Sequence, residues 1–302
     1  MPTPSARSWL PTYLALGITW GCSFLFIKYS LGFLTPYGVA FVRCALGALT
    51  LVVIALSRRV ALPRDLVVWG HLWVVAMCIN VLPGVLFAVA ETRTTTIVAG
   101  IVNALTPLTT LFFILVIFRD ETIKRYQALG LAVGLSGVLL VLGVWQGLGA
   151  NPWWAVLALL VAVTLYGISF PYTRRHLISR GLNPVSMACA QLIVATVTLL
   201  PTFLLDGTNG HPLSAHAVLG ALALGIFGSG FAFMWNFRVQ AAAGSSIAST
   251  VTYMSPVVAV IVGVIFLSEP LAWYQPVGGL VVLLGAAIGQ GRLRRRPQTL
   301  RN

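Results

Sequence analysis

The segment WGCSF at residues 20–24 returns as YGISF at residues 166–170, and the run YQALG at 126–130 returns as YQPVG at 274–278. The distance between matching positions drifts only from 146 to 149 residues. The same offset relates FRDE at 118–121 to FLSE at 266–269, Gly137 to Gly285, Pro36 to Pro184, and Pro107 to Pro256. An offset shared by this many positions indicates two homologous halves, which we place at residues 1–150 and 151–302.

The composition places both halves in a lipid bilayer. Hydrophobic residues make up 58% of the chain and charged residues 8%, whereas soluble domains carry about 25% charged residues. The net charge is +13, but the basic residues lie in short segments between apolar runs and form no nucleic-acid motif. We therefore expect no nucleic-acid partner. The four cysteines lie inside apolar runs without CxxC spacing and are expected to be reduced and buried.

Ten apolar runs have the length of about 20 residues that a membrane-spanning helix needs. They lie at residues 11–31, 36–56, 66–90, 95–118, 126–145, 152–172, 184–205, 214–237, 245–267 and 271–290. Each half holds five predicted spans, and an odd number forces the second half to enter the membrane from the opposite side. The predicted fold is an all-α integral membrane protein of ten transmembrane helices, built as two inverted five-helix repeats around a central cavity. Inverted repeats are typical of alternating-access transporters.

Lysine and arginine predict the orientation, because they concentrate in the cytoplasmic loops of membrane proteins. With the N-terminus in the cytoplasm, 16 of the 19 basic residues fall on the cytoplasmic side, and Lys28, Arg43 and Arg93 lie toward the outside. Both termini are therefore expected in the cytoplasm, in a multi-pass protein of the cell inner membrane. The basic tail at 292–296 is expected to contact anionic membrane lipid. No cleavable signal peptide is expected, since the first apolar run continues past Lys28 without a cleavage site.

Several predicted spans carry a polar or aromatic stripe on one helical face, as expected for helices that surround a cavity. The stripe members predicted to bind substrate are Asn80 and Phe87 in span 3, Asn103 in span 4, Phe233 and Asn236 in span 8, and Thr252 with the adjacent Tyr253 in span 9. Hydrogen bonding between helices is the alternative role for the three asparagines. The small stripe members are more typical of close helix packing: Gly84, Gly100, Ser229, Ser245 and Ser249.

Spans 1 and 6 place aromatic residues at equivalent positions of the two halves. The corresponding pairs are Trp20 with Tyr166, Ser23 with Ser169, and Phe24 with Phe170. Four such rings could hold a flat substrate from both sides, and we predict that these residues line the central cavity. Core packing is the alternative. An interfacial belt is disfavoured for Trp20, which lies roughly 13 Å into its span by helical rise.

Pro107 and Pro256 occupy matching positions in the middle of spans 4 and 9. A proline inside a helix removes one backbone hydrogen bond and bends the helix. Two matched bends predict a pair of hinges for alternating access. A static kink that only shapes the packing is the alternative.

Few charged residues lie within the predicted spans. Arg43 lies about 10 Å into span 2 by helical rise, and Lys28 lies near the outer end of span 1. Both are predicted to reach the outer interface or to pair with Glu91 or Glu269. A structural or gating role is predicted for Arg43, and gating roles are predicted for Lys28 and Glu91. No Asp or Glu lies deep in a span, which disfavours an exchange of protons for lipophilic cations.

Enzyme motifs are absent from the sequence, which contains no GxSxG, HExxH or phosphate-binding loop. We therefore predict no catalytic residue and no cofactor. His211 and His216 lie near Asp206 in one predicted outer loop. Without a further pair of ligands they form only a weak candidate metal site, and no metal is predicted.

The residues resemble one family. The WGCSF segment with Lys28, the Pro36 start of span 2 followed by Phe41 and Arg43, and the acidic residue with a YQxxG run in each half are similar to the EamA type of the drug/metabolite transporter superfamily. The length and the ten-span plan resemble the YddG-like exporters of aromatic amino acids and related metabolites. The resemblance implies a cavity lined by spans 1, 3, 4, 6, 8 and 9, with spans 5 and 10 at the periphery and spans 2 and 7 as outer supports.

We therefore expect a transporter that exports small organic metabolites, with amino acids, aromatic ones among them, as the specific expectation. A pore without deep charges fits a net-neutral zwitterion better than a polyanion. Efflux of amphipathic drugs by the same fold is the first alternative, and a membrane enzyme or scaffold without transport activity is the second. A monomer is the expected oligomeric state.

Overall fold

The computed structural model describes residues 6–118, 125–141, 143, 145 and 151–289. Throughout these residues the regular structure is helical, apart from one isolated antiparallel bridge between Leu34 and Thr208. The predicted basic loop at 119–124 and the basic tail at 292–296 lie outside the described residues. The all-helical class that the sequence predicts is therefore confirmed for the described part of the chain.

The main helical elements of the described residues follow the order of the predicted spans. They are α1 (Ala6–Ser30), α2 (Pro36–Ser57), α3 (Leu66–Glu91), α4 (Thr96–Ile117), α5 (Arg125–Val141), α6 (Trp153–His176), α7 (Pro184–Asp206), α8 (Ala215–Ala243), α9 (Ser245–Ser249 continued by Thr250–Met254 and Ser255–Leu267) and α10 (Tyr274–Gly289). Among the described residues, eight helices are long and apolar enough to cross a membrane, whereas α5 and α10 contain shorter apolar stretches at Ala132–Val141 and Tyr274–Gly285. Predicted spans 1–4 and 6–9 thus coincide with helices of membrane-spanning length.

Equivalent helices of the two halves begin for the same local reason. The side chains of Thr35 and Asn183, 148 residues apart, accept hydrogen bonds from backbone N–H groups at the starts of α2 and α7. In both helices a proline occupies the first turn. Backbone N–H groups in the first turn have no partner within the helix, so a proline there costs no hydrogen bond. Asp65 and Ser214, 149 residues apart, cap α3 and α8 in the same way. Capping satisfies N–H groups that the first helical turn leaves unpaired.

The packing between the halves repeats the sequence symmetry. Helix α1 packs against α8, and α6 makes the equivalent contact with α3. Helix α1 also packs against α9, as α6 does against α4. Three further pairs join a helix to its own counterpart: α2 with α7, α4 with α9, and α5 with α10. The two halves therefore form one bundle in which these contacts are made twice or join equivalent helices.

Irregular turns also recur at matching positions. Helix α3 contains a π-helical turn at Met77–Val81, and α8 contains one at Ile226–Phe231, 149 residues later. Such π turns insert a residue into a helix and are frequent at functional sites. Both turns lie near the cavity described below, because Ile79 of the first turn lines it and Ser229 of the second accepts a hydrogen bond from a lining residue, Arg43.

Connections that the alternating topology assigns to one membrane face lie together. The backbone N–H of Thr35 donates to the carbonyl of Gly207 (3.2 Å), which joins two connections of the predicted outer face. On the predicted inner face, the Arg180 guanidinium and the Asp65 carboxylate form an ion pair at 3.2 Å. These contacts tie the first half to the second at both ends of the bundle.

Candidate functional site

A cavity lies where the helices of both halves meet. It encloses about 510 Å³ of space free of atoms, a volume that includes open space at its mouth. Six aromatic side chains line it: Trp20, Phe24, Phe87, Tyr166, Phe170 and Phe233. The other lining residues are Ser23, Ile27, Arg43, Ile79, Asn103 and Thr252. Apart from Arg43 of α2, the lining comes from the six helices that the family resemblance implied.

The aromatic rings meet across the boundary between the halves. The rings of Phe87 and Tyr166 stack with centroids 5.7 Å apart and an angle of 19° between their planes. The Trp20 ring meets Phe233 edge to face at 5.9 Å. Phe24 extends the first pair, with its centroid 5.6 Å from that of Phe87. Both halves therefore contribute to one aromatic wall, as the paired positions in spans 1 and 6 predict.

Most polar groups of the lining already have partners. The Ser23 hydroxyl donates to the carbonyl of Thr19 (3.0 Å), and the Thr252 hydroxyl donates to the carbonyl of Ser249 (2.8 Å). Such bonds to the preceding turn of the same helix satisfy a hydroxyl inside a membrane. Among the described residues, no protein acceptor receives a hydrogen bond from the Tyr166 hydroxyl or from the two terminal nitrogens of Arg43. The cavity therefore presents two polar groups that are free to bind a solute, the Tyr166 hydroxyl and the Arg43 guanidinium.

Arg43 corrects one expectation about the bundle. The resemblance implies that span 2 supports the bundle from outside, yet the Arg43 side chain lies on the cavity wall. It is 6% exposed, so it does not reach the outer interface, and its Nε donates to the Ser229 hydroxyl of α8 at 3.2 Å. Gly47, one turn later, permits this approach, because a Cβ there would lie 2.8 Å from the Cβ of Ser229. In the sequence, a glycine one turn after Arg43, Gly47, could have indicated this close contact between helices.

Four predicted binding residues lie off the cavity wall: Asn80, Ser169, Asn236 and Tyr253. The Asn80 carbonyl oxygen accepts a hydrogen bond from the Gln191 amide of α7, and the Ser169 hydroxyl donates to the Tyr166 carbonyl at 2.8 Å. Asn80 lies in the π turn of α3, and the extra residue there displaces side chains by about 100° from the regular helical pattern. Ile79 consequently takes the place on the wall that the stripe assigned to Asn80.

The outer charges form a different arrangement from the predicted ion pair. The Lys28 ammonium donates to the backbone carbonyls of Glu91 (2.6 Å) and Thr94 (3.3 Å). The Glu91 carboxylate is fully buried and has no hydrogen-bond partner within the described residues. The Glu269 carboxylate accepts the N–H groups of Thr96 (2.8 Å) and Ile97 (3.1 Å), and so caps α4. Lys28 therefore binds backbone carbonyls at the end of α3 rather than a carboxylate, and the gating roles of Lys28 and Glu91 stay predictions.

The two prolines lie at helix breaks rather than at bends of continuous helices. Helix α4 is interrupted after Asn103, and Pro107 lies in the first turn of the segment that follows. Helix α9 passes through a tighter 3₁₀ segment before Pro256 begins its last segment in the same way. The Asn103 amide donates to the Ser255 hydroxyl at 3.2 Å, so one hydrogen bond joins the two breaks.

The candidate metal ligands of the outer connection form no cluster. Within residues 151–289 and the other described ranges, no group of three His, Cys, Asp or Glu side chains lies close enough to hold a metal ion. His216 instead lies beside the ring of Tyr29, with centroids 5.9 Å apart. The cavity at the centre of the bundle therefore remains the candidate site.

Comparison with known proteins assigns the family. The EamA-like transporter family matches residues 7–143 and matches the chain again at residues 153–288. The chain belongs to the EamA-like transporter family. Its two matches coincide with the two halves that share the sequence repeat.

Relatives of this EamA-like protein cover most of the chain. An uncharacterized transporter of Archaeoglobus fulgidus is 28% identical over 93% of this chain and 98% of its own length. The uncharacterized inner membrane transporter YedA of Escherichia coli is 27% identical over 85% of this chain and 83% of its own. A solved crystal structure covers 97% of this chain and 100% of its own, with a TM-score of 0.71 at 19% identity, and so shares the fold. The EamA-like protein is thus a multi-span membrane transporter.

Proposed function

We propose that this transporter exports small organic metabolites through the central cavity, with amino acids, aromatic ones in particular, as its substrates. The aromatic wall carries this proposal, since both halves supply rings that a flat apolar group can contact. The cavity is completed by one chain, so the monomer is the proposed transporting unit. Light scattering of the purified protein tests that unit, and an obligate dimer would contradict it.

The transporter is proposed to cross the cell inner membrane ten times, with α5 and α10 as the fifth and tenth spans and both termini in the cytoplasm. The basic residues support this orientation, and so does the description of the Escherichia coli relative as an inner membrane transporter. A cysteine at His211, in the predicted outer connection, should react with an impermeant thiol reagent from outside, whereas one at Ser179 should not. The reverse pattern would invert the orientation.

Alternating access is proposed to use the two helix breaks as hinges. The Asn103–Ser255 hydrogen bond connects the breaks of α4 and α9, so a rearrangement at one break can be passed to the other. Pro107→Ala and Pro256→Ala permit a continuous backbone bond and should slow transport without loss of folding. Pro201→Ala in α7 is the matched control, because Pro201 lies inside a helix that contributes nothing to the described lining. Unchanged rates in both single variants would reduce the prolines to packing features.

The function is tested by uptake into proteoliposomes that contain the purified transporter. We expect saturable, protein-dependent transport of phenylalanine, slower transport of leucine, and none of tetraphenylphosphonium. The cation is expected to fail because Arg43 lines the cavity and no carboxylate does so among the described residues. Transport of the cation in preference to phenylalanine would instead support efflux of amphipathic drugs. Absence of transport for every solute, with a monodisperse protein, would contradict the proposal.

A further inference from the structure

One contact between the halves is made twice, with different chemistry each time. Arg43 of α2 donates to Ser229 in the π turn of α8 at 3.2 Å. Gln191 of α7 donates to Asn80 in the π turn of α3. Gln191 follows Arg43 by 148 residues and Ser229 follows Asn80 by 149, so these are the same contact under the repeat symmetry. One copy carries a positive charge and the other is neutral.

The two copies also differ in what they face. Neither Gln191 nor Asn80 lines the cavity, whereas Arg43 does. The Arg43 Nε is held by Ser229, which leaves the two terminal nitrogens of the guanidinium without a hydrogen-bond partner among the described residues. The ion pair found in those residues is Arg180 with Asp65, at the end of the bundle. Arg43 is thus a 94%-buried charge, from its 6% exposure, and no carboxylate of the described residues lies within ion-pair distance of it. The buried Glu91 carboxylate is close enough to interact with Arg43 electrostatically, but it does not occupy the guanidinium fork.

An unpaired buried charge in a membrane protein is costly and marks a functional position. A guanidinium presents its terminal nitrogens as a fork that matches the two oxygens of a carboxylate. The Ser229 contact fixes the orientation of that fork from behind. On the same wall, the aromatic rings provide contact for an apolar body, and no Asp or Glu of the described residues is present to hold an ammonium group.

We propose that Arg43 binds the carboxylate of the transported solute, and that the preferred substrate class is an aromatic monocarboxylate for which an amino group is not required. This inference rests on the proposed function and narrows it. A neutral or cationic solute with the same ring leaves Arg43 without a partner and therefore binds more weakly. Arg43→Gln replaces the charged donor with a neutral amide, the group that Gln191 supplies in the symmetric contact. The glutamine amide can still donate to Ser229.

The experiment compares four solutes that share one phenyl ring: phenylacetate, phenylacetamide, phenylalanine and phenethylamine. Their affinities are measured by calorimetry on the purified full-length transporter, and their transport by competition with labelled phenylalanine in proteoliposomes. We expect phenylacetate to bind about tenfold or more tightly than phenylacetamide, because a hydrogen-bonded charge pair is lost in the amide. Phenylalanine should bind no more tightly than phenylacetate, and phenethylamine should bind least.

In Arg43→Gln, the preference for phenylacetate over phenylacetamide should disappear while the affinity for phenylacetamide stays within about twofold. Arg43→Lys should keep part of the preference, because the charge remains but the fork is lost. Gln191→Met changes the symmetric contact outside the cavity and should leave the preference intact. Equal losses for both solutes in Arg43→Gln, or loss of the preference in Gln191→Met, would overturn the inference.

The wild-type comparison alone also decides the question if Arg43→Gln does not fold. Equal binding of phenylacetate and phenylacetamide, or tighter binding of phenethylamine than of phenylacetate, would overturn the carboxylate assignment. In those cases transport of phenylalanine would continue, and the proposed function would survive. If the wild type bound and transported none of the solutes, both the proposed function and the inference would fail.

Discussion

Replacing Gly285 with alanine should destabilise the whole protein. Helices α5 and α10 pack backbone to backbone, and a Cβ at Gly285 would lie 2.3 Å from the Gly134 nitrogen and 2.8 Å from the Gly130 carbonyl oxygen. Neither neighbour is a flexible side chain, so the helices must separate. We expect a loss near the upper end of the range for overpacking, about 3 kcal/mol. The measurement is the midpoint of thermal aggregation in detergent, which should fall by several degrees.

The same helix supplies the control for this prediction. A Cβ at Gly279 would have nothing within 4 Å, so Gly279→Ala should be neutral or slightly stabilising, since alanine favours a helix over glycine by about 0.5–1 kcal/mol. The symmetric Gly137→Ala should behave like Gly285→Ala, because its Cβ would lie 2.6 Å from the Val282 nitrogen. Equal midpoints for Gly279→Ala and Gly285→Ala would contradict the close packing of α5 on α10.

Replacing Trp20 with alanine should weaken the apparent affinity for an aromatic amino acid several-fold. The Trp20 ring lines the cavity and meets Phe233 of the other half edge to face. An aromatic contact contributes about 0.5–1.5 kcal/mol beyond simple burial, so the loss for leucine should be smaller than for phenylalanine. Tyr166→Ala should act in the same direction, because Tyr166 occupies the equivalent position and stacks on Phe87. Competition uptake in proteoliposomes with matched amounts of monodisperse protein measures both.

Trp153→Ala is the matched control for the loss of an indole ring. Trp153 is 68% exposed at the start of α6 and takes no part in the cavity lining, so its removal should leave both affinities unchanged. Equal losses for phenylalanine and leucine in Trp20→Ala would indicate a role in packing or gating instead of stacking. No loss for either solute in Trp20→Ala and Tyr166→Ala would remove α1 and α6 from the binding site.

The repeat made most of the architecture predictable. A shared offset of 146–149 residues required two similar halves, and apolar length placed eight of the ten predicted spans on helices long enough to cross a membrane. Large rings at equivalent positions of two related helices approach the same axis. The sequence could therefore place four aromatic residues at the centre of the bundle: Trp20, Phe24, Tyr166 and Phe170. All four line the cavity. The repeat does not decide what they bind.

The parts that were not predictable depend on local irregularity and on the close approach of two helices. A regular helical period placed Asn80 on the wall, but the π turn of α3 puts Ile79 there and directs Asn80 to Gln191. Periodicity in the sequence gives no sign of one inserted residue. Arg43 reaches the cavity because Gly47 brings α2 onto α8, a contact that depends on tertiary packing.

The central claim is that one cavity, built by both halves, holds the transported solute, and protection of a cysteine tests it most directly. Ser23 lines the cavity and differs from cysteine by one atom, so Ser23→Cys should be placed in a variant whose native cysteines are replaced by alanine. Thr92→Cys, in the exposed connection after α3, is the control. Phenylalanine at concentrations that saturate transport should slow modification of Ser23→Cys by a small thiol reagent several-fold and leave Thr92→Cys unaffected. Unchanged modification of Ser23→Cys under saturating transport would contradict the assignment of the cavity.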